Sequence, residues 1–155
     1  MHDPAIEALV EALKSDDPGT REMATQELWR RWFTQKGAYG FTLLQRSQDL
    51  IDQGDVGQAE AVLTELVDHQ PDFAEAWNRR AVLYYTLGDY GRALADCDRV
   101  VALVPYHFGA LHGMGLCHMA LGHYHEAIAA FRRASAVQPH ALANQRLILE
   151  CTAQL

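Results

Sequence analysis

The chain has 155 residues and a net charge of −7, with 49% apolar and 21% charged residues, the profile of one folded globular domain rather than a disordered chain. No apolar run approaches the roughly 18 residues of a membrane-spanning helix, and an acidic chain without a Lys/Arg stripe is a poor fit to nucleic acid. The three cysteines, Cys97, Cys117 and Cys151, are odd in number and lack C-x-x-C spacing; they predict small buried hydrophobes rather than a disulfide framework or a zinc knuckle.

The N-terminal stretch "DPAIEALVEALKS" predicts a helix with Asp3 as N-cap, Pro4 at the first helical position and an apolar stripe of Ile6, Leu9, Val10 and Leu13. It has no basic segment followed by an apolar one, so no signal peptide is visible. The expectation is a cytoplasmic protein if the chain is complete, and a periplasmic one if a signal peptide has been removed. "DDPG" at 16–19 breaks the helix. A second helix follows, with Thr20 read as its cap and a dense apolar group of Met23, Leu28, Trp29, Trp32 and Phe33. The aromatics are read as core, with a partner surface as the alternative. Residues 1–39 thus predict an amphipathic hairpin that caps whatever follows.

From residue 40 the chain keeps a strict interval. Pro71, Pro105 and Pro139 stand 34 apart, and Gly54, Gly88 and Gly122 each precede their proline by 17. Glycine closes a helix in the left-handed conformation, and proline stops or starts the next. Each unit therefore predicts helix–turn–helix. The helical period agrees: Trp77, Ala81 and Tyr84 share one face, and Ala93, Cys97 and Val100 share one on the partner helix. Leu43, Ser47 and Leu50 with Ala59, Leu63 and Leu66 repeat this in the first unit. Leu111, Gly115 and His118 with Ala127, Phe131 and Ala134 repeat it in the third. Ala81 and Gly115 let helices approach closely, while Trp77 and Phe131 fill the space beside them. The units are 40–73, 74–107 and 108–141, followed by a capping helix over 142–155.

Charge is uneven across the units. Residues 40–73 carry seven acids against Arg46, whereas residues 108–141 carry Glu126 against Arg132 and Arg133, with five histidines.

The segment "AEAWNRRAVLYYTLGDYGRALADCDRVVALVP" resembles the tetratricopeptide repeat in its Trp, Ala, Tyr, Gly and Pro positions, and "GALHGMGLCHMALGHYHEAIAAFRRASAVQP" matches nearly as well, with His118 where the second unit has Tyr84. The whole chain, with "ELWRRW" ahead of the repeats and "PDFAEAWNRRA" between the first two, looks like the small stand-alone bacterial members of that family, which often carry a signal peptide. The resemblance implies an all-α, right-handed superhelix of antiparallel hairpins whose units stack because none buries its apolar face alone. It also implies a concave groove lined by the first helix of each unit. The second faces of those helices supply Leu44, Gln48 and Ile51; Asn78, Val82 and Tyr85; and His112, Leu116 and Met119, with Arg79 as the one base nearby. Some relatives clamp acidic C-terminal tails of chaperones through Lys and Asn in this groove. Here Leu44 and Gln48 stand at the first such positions and Gly109 and Gly113 at later ones. The expectation is an apolar helix or extended segment as ligand, with a groove covered by a cap as the alternative.

Catalysis is not indicated. Ser15, Ser47 and Ser135 lie outside any nucleophile elbow, and no phosphate loop or H-E-x-x-H motif is present. "GMGLCH" at 113–118 falls inside a predicted helix, not after a strand. His112 and His118 fall on different faces, and His123 and His125 straddle a turn, so no metal or cofactor is expected. The function expected is a protein-interaction scaffold for a peptide or protein, without nucleic acid and without membrane insertion. Self-association into a homo-oligomer is the alternative, and a histidine-linked pH- or metal-responsive module is another.

Overall fold

The computed structural model describes residues 3–155; the first two residues of the 1–39 segment lie outside them. Nine α-helices run in chain order among the described residues: α1 (Pro4–Ala12), α2 (Pro18–Phe33), α3 (Gly37–Asp52), α4 (Val56–His69), α5 (Ala74–Thr86), α6 (Tyr90–Leu103), α7 (Phe108–Ala120), α8 (Tyr124–Val137) and α9 (Leu142–Thr152). None is long and apolar enough to cross a membrane.

Local chemistry sets the ends of these helices. Asp3 caps α1 by accepting from the Ala5 and Ile6 N–H groups, and Pro4 is the first helical residue. The second helix begins earlier than its sequence suggests. Asp17, not Thr20, is its N-cap, and Pro18 occupies the first turn; Thr20 donates both its N–H and its hydroxyl to the Asp17 carboxylate. Between α5 and α6, Gly88 adopts φ 79°, and the Asp89 N–H donates to the Tyr84 carbonyl at 2.9 Å. Left-handed glycine closes the helix and satisfies carbonyls that would otherwise be orphaned. Gly54 and Gly122 make the same turn at φ 81° and 78°. Asp55 and Asp89 then cap the following helices, whereas His123, at the equivalent place before α8, makes no side-chain cap bond.

Helices pack on their sequence neighbours from α3 to α9. One core, Leu44, Ala59, Leu63, Leu66, Val67, Phe73, Ala76 and Leu83, joins α3 and α4 to α5. The next, including Ala81, Cys97, Val100, Leu111, Met114 and Ala134, joins α5 through α8. A third, Ala127, Ile128, Phe131, Leu147 and Cys151, seats α9 on α8. All three cysteines are buried and free.

Gly115 shows how tightly α7 and α8 meet. A Cβ at this position would overlap the Phe131 ring, which is fully buried. Gly115→Ala is therefore expected to cost about 1–3 kcal/mol through overpacking, despite the better helix propensity of Ala. Urea unfolding followed by circular dichroism measures this, and a stabilised variant would refute the close approach.

The N-terminal hairpin packs on residues of the second and third units. Its core, Leu13, Ala24, Leu28 and Trp32, closes on Phe108, with Val104, Tyr106 and Val137 packed against it. The α2 helix also touches α3 and α5. It therefore crosses towards the second and third units instead of extending the stack at its first end. The reason is aromatic: Trp32 stacks on the His107 ring at 4.0 Å, and Trp29 meets Phe108 edge-on at 5.4 Å. Large flat side chains bury most area where other rings offer them faces and edges.

Candidate functional site

Helices α3, α5 and α7 carry the residues read as groove-lining, in three rows 34 residues apart. The structure treats the rows differently. In the first row, Leu44 is 2% exposed and belongs to the core, so it lines the groove only at its base. Asn78 is also buried; its amide donates to Glu75 Oε1 at 3.1 Å. His112 is half-buried and shares a 2.8 Å hydrogen bond with Asn144 Oδ1 of α9. The first row is thus largely committed within the fold.

The second row is open. Val82 is 50% exposed, while Gln48 and Leu116 are half-buried. In the third row Tyr85 packs against Tyr90 at 5.4 Å between ring centroids, Ile51 leans on the first core, and Met119 leans on the α8–α9 core.

These residues form two recesses. The first, about 310 Å³, is lined by Phe33, Phe41, Leu44, Gln45, Gln48 and Arg79. The second, about 210 Å³, lies between α5 and α7 and brings together Asn78, Val82, Tyr85, His112 and Leu116, with Ala81, Cys97, Gly109, Gly113 and Cys117 completing its wall and floor. Ile51 and Met119 line neither. A larger open recess of about 900 Å³ runs along α1 beside Tyr106, with Asp3, Glu7 and Glu11 at its rim, away from the groove. Its polar, charged rim gives it little in common with an apolar binding cleft.

Several lining residues escaped the sequence reading. Phe41 and Gln45 continue the Leu44–Gln48 face one turn back, so the helical period could have found them. Cys97 could not be found that way. It belongs to α6 and reaches the cleft because Gly113 places no side chain over it; a Cβ at Gly113 would lie 3.3 Å from Cys97 Sγ.

The base in the groove is neutralised. Arg79 Nε lies 3.2 Å from Oε1 of Glu75, a fully buried carboxylate, and its guanidinium sits over the Phe33 ring at 4.6 Å. Glu75 also meets His107 Nε2 at 3.1 Å, and His107 Nδ1 accepts the Ala110 N–H at 3.0 Å. Accepting at Nδ1 requires the ring proton on Nε2, so the imidazole donates to Glu75. Charge that could attract an acidic ligand is spent inside the fold.

The N-terminal hairpin and α9 each reach the groove. Trp29 occupies the space beside Gly109, where an added Cβ would lie 2.8 Å from the indole. At the other side α9 contributes Asn144. The histidines do not converge: His118 lies near His123 at 5.9 Å between rings, while His112 faces Asn144. Among the described residues no group of three His, Cys, Asp or Glu side chains is placed to hold a metal ion.

Residues 44–108 match one tetratricopeptide-repeat family model and residues 108–141 match another. A TPR repeat-containing protein of Rhizobium etli is 33% identical over 110 residues, 70% of this chain and 54% of that protein, so the chain spans about half the length of this relative. The first TPR of Spaghetti (RPAP3), bound to an HSP90 peptide, superposes with a TM-score of 0.70 at 22% identity, over 73% of this chain and 90% of that one. The TPR2B domain of yeast Sti1, in its pHsp70 complex, gives 0.65 at 18% identity, over 74% and 99%. These two likenesses show the fold. Given helical hairpins closed by glycine at a 34-residue interval and family models that match from 44 to 141, the chain belongs to the tetratricopeptide-repeat family.

Proposed function

We propose that this chain is a protein-interaction module, not an enzyme, and that it holds an apolar peptide or protein segment in the groove of α3, α5 and α7. The observation that carries the reading is the cleft between α5 and α7. It is almost wholly apolar, and Val82 stands half exposed in it beside Tyr85 and Leu116. An exposed aliphatic and a tyrosine in a preformed concavity supply binding area at little entropic cost. The solved neighbours that hold HSP90 and Hsp70 peptides support a peptide-binding role. The ligand differs in chemistry from those acidic tails, because Arg79 is paired with Glu75 and Gly109 and Gly113 carry no charge.

Selection from a random peptide display library tests this. Selected sequences are expected to carry a large apolar side chain. Tyr85→Arg and Val82→Arg are each expected to weaken the selected peptides at least about tenfold, the scale of a moderate interface hot spot, with the fold intact by circular dichroism. The peptide SRMEEVD is expected to bind no more tightly than a scrambled control. Selection of peptides with acidic C-termini, or binding unchanged by both substitutions, would overturn the reading.

A further inference from the structure

We infer that the α5–α7 cleft is a seat for one indole ring, a tryptophan side chain of the bound segment, with His112 Nε2 accepting its N–H. This inference rests on the peptide-binding reading and names the anchor that the groove takes.

Volume and hydrogen bonding select this side chain. Benzene fills an apolar cavity of about 150 Å³. The cleft, at about 210 Å³, has room for a second fused ring, and Val82, Tyr85 and Leu116 give it apolar walls. Its polar groups are few. The Asn78 amide is already committed to Glu75. Asn144 Oδ1 can only accept, so its 2.8 Å bond to His112 Nδ1 places the proton of the neutral ring there. Nε2 is then an acceptor, on a residue that lines the cleft, and among the described residues no hydrogen bond engages it. Indole pairs a large apolar body with a single donor and no acceptor. Leu, Ile and Phe bring no donor. Tyr brings a smaller ring and an acceptor oxygen as well, and Lys or Arg brings a charge that apolar walls penalise.

The fold itself seats an indole on the same face of α7. Gly109 and Gly113 are four residues apart and so lie one above the other on the helix. The Trp29 ring lies against Gly109, where an added Cβ would come within 2.8 Å of it, and it meets the His107 ring edge-on at 5.4 Å. One turn further on, Gly113 leaves the helix surface equally bare beside His112, and both line the cleft. A flat bicyclic ring can approach α7 closely at either glycine because no side chain stands in its way. The anchor of the bound segment would thus sit next to Trp29 and repeat its mode of packing.

The probe is indole itself, titrated into the full chain, beside 1-benzothiophene, in which sulfur replaces the N–H. Backbone and methyl NMR shifts locate the binding, and imidazole nitrogen shifts report on His112. Indole is expected to shift Val82, Gly113 and Leu116 saturably and to move the His112 Nε2 signal in the direction of an accepted hydrogen bond. Benzothiophene is expected to occupy the same cleft without that Nε2 change. His112→Phe keeps a ring in the wall and removes the acceptor. In it, indole is expected to lose about threefold to tenfold in affinity relative to benzothiophene, the scale of one hydrogen bond. If that variant fails to fold, the wild-type Nε2 signal decides alone. No saturable shift in the cleft, or an Nε2 signal that responds alike to both probes, would overturn the proposal. The display selection separates this failure from that of the groove reading. Selected peptides that need Val82 and Tyr85 but carry Leu or Phe in place of Trp would overturn the indole seat and leave the groove reading standing. Peptides indifferent to both residues would overturn the groove reading itself.

Discussion

Trp32→Ala is expected to lower folding stability by about 3–5 kcal/mol, the range for truncating a large buried aromatic. The indole is 5% exposed and touches rings on several sides. It stacks on His107 at 4.0 Å and 19°, meets Trp29 edge-on at 5.1 Å, and lies 5.1 Å from Phe108. Its loss opens a cavity beside a fully buried imidazole that links Glu75 to the start of α7. The N-terminal hairpin would lose its main anchor on residues 104–108 as well as packing area. Urea unfolding followed by circular dichroism gives the number, and Trp32→Phe should retain more than half of the lost stability because a ring still faces His107. A loss below about 1 kcal/mol, the scale of a surface change, would mean that the hairpin is dispensable to the fold.

Asp96→Ala is the second large effect, again about 3–5 kcal/mol, because it strands a charge. Arg80 Nε and Nη2 each donate to a separate Asp96 oxygen at 2.8 Å. The side chains are 15% and 6% exposed, so solvent screens the pair only slightly. The Arg80 guanidinium also lies over the Trp77 ring at 5.1 Å and beside Tyr84 at 5.6 Å. Asp96 raises the Arg80 ionisation range further by hydrogen bonding, so the arginine stays charged at any ordinary pH. Removing the carboxylate therefore leaves an uncompensated cation wedged between α5 and α6. The double change Arg80→Met with Asp96→Leu is expected to recover most of the loss, since it removes both charges and keeps the volume. Thermal unfolding of the single and double variants checks this. A double variant as unstable as Asp96→Ala would show that packing, not the stranded charge, sets the cost.

Both predictions fall on residues whose importance the repeat pattern did not mark. Trp32 was legible as a core aromatic from its helical stripe, but its partner His107 stands in the second unit where the first has Phe73. The histidine keeps the buried position and adds a polar bond to Glu75. Asp96 reads as one more solvated acid beside Cys97. Only the packing of α5 on α6 shows it facing Arg80.

The groove divides in the same way. Val82 and Tyr85 were legible as part of a second face, because Asn78, Val82 and Tyr85, outside the hairpin-facing stripe, recur four and three apart. Leu44 has the same spacing and is buried, because α4 and α5 close over it. Arg79 is the one base near the groove in the sequence, and its charge is cancelled by Glu75 one turn earlier.

What the sequence determined by itself is local. The 34-residue interval, the helix ends and the left-handed turns at Gly54, Gly88 and Gly122 follow from backbone preferences and from side chains three or four residues apart. The tertiary structure alone decided the rest: the docking of Trp32 on His107, the pairing of Arg80 with Asp96, and the cleft between α5 and α7. Those outcomes depend on which surfaces of distant helices fit one another, and packing volume and charge compensation act across the chain without leaving a periodic mark along it.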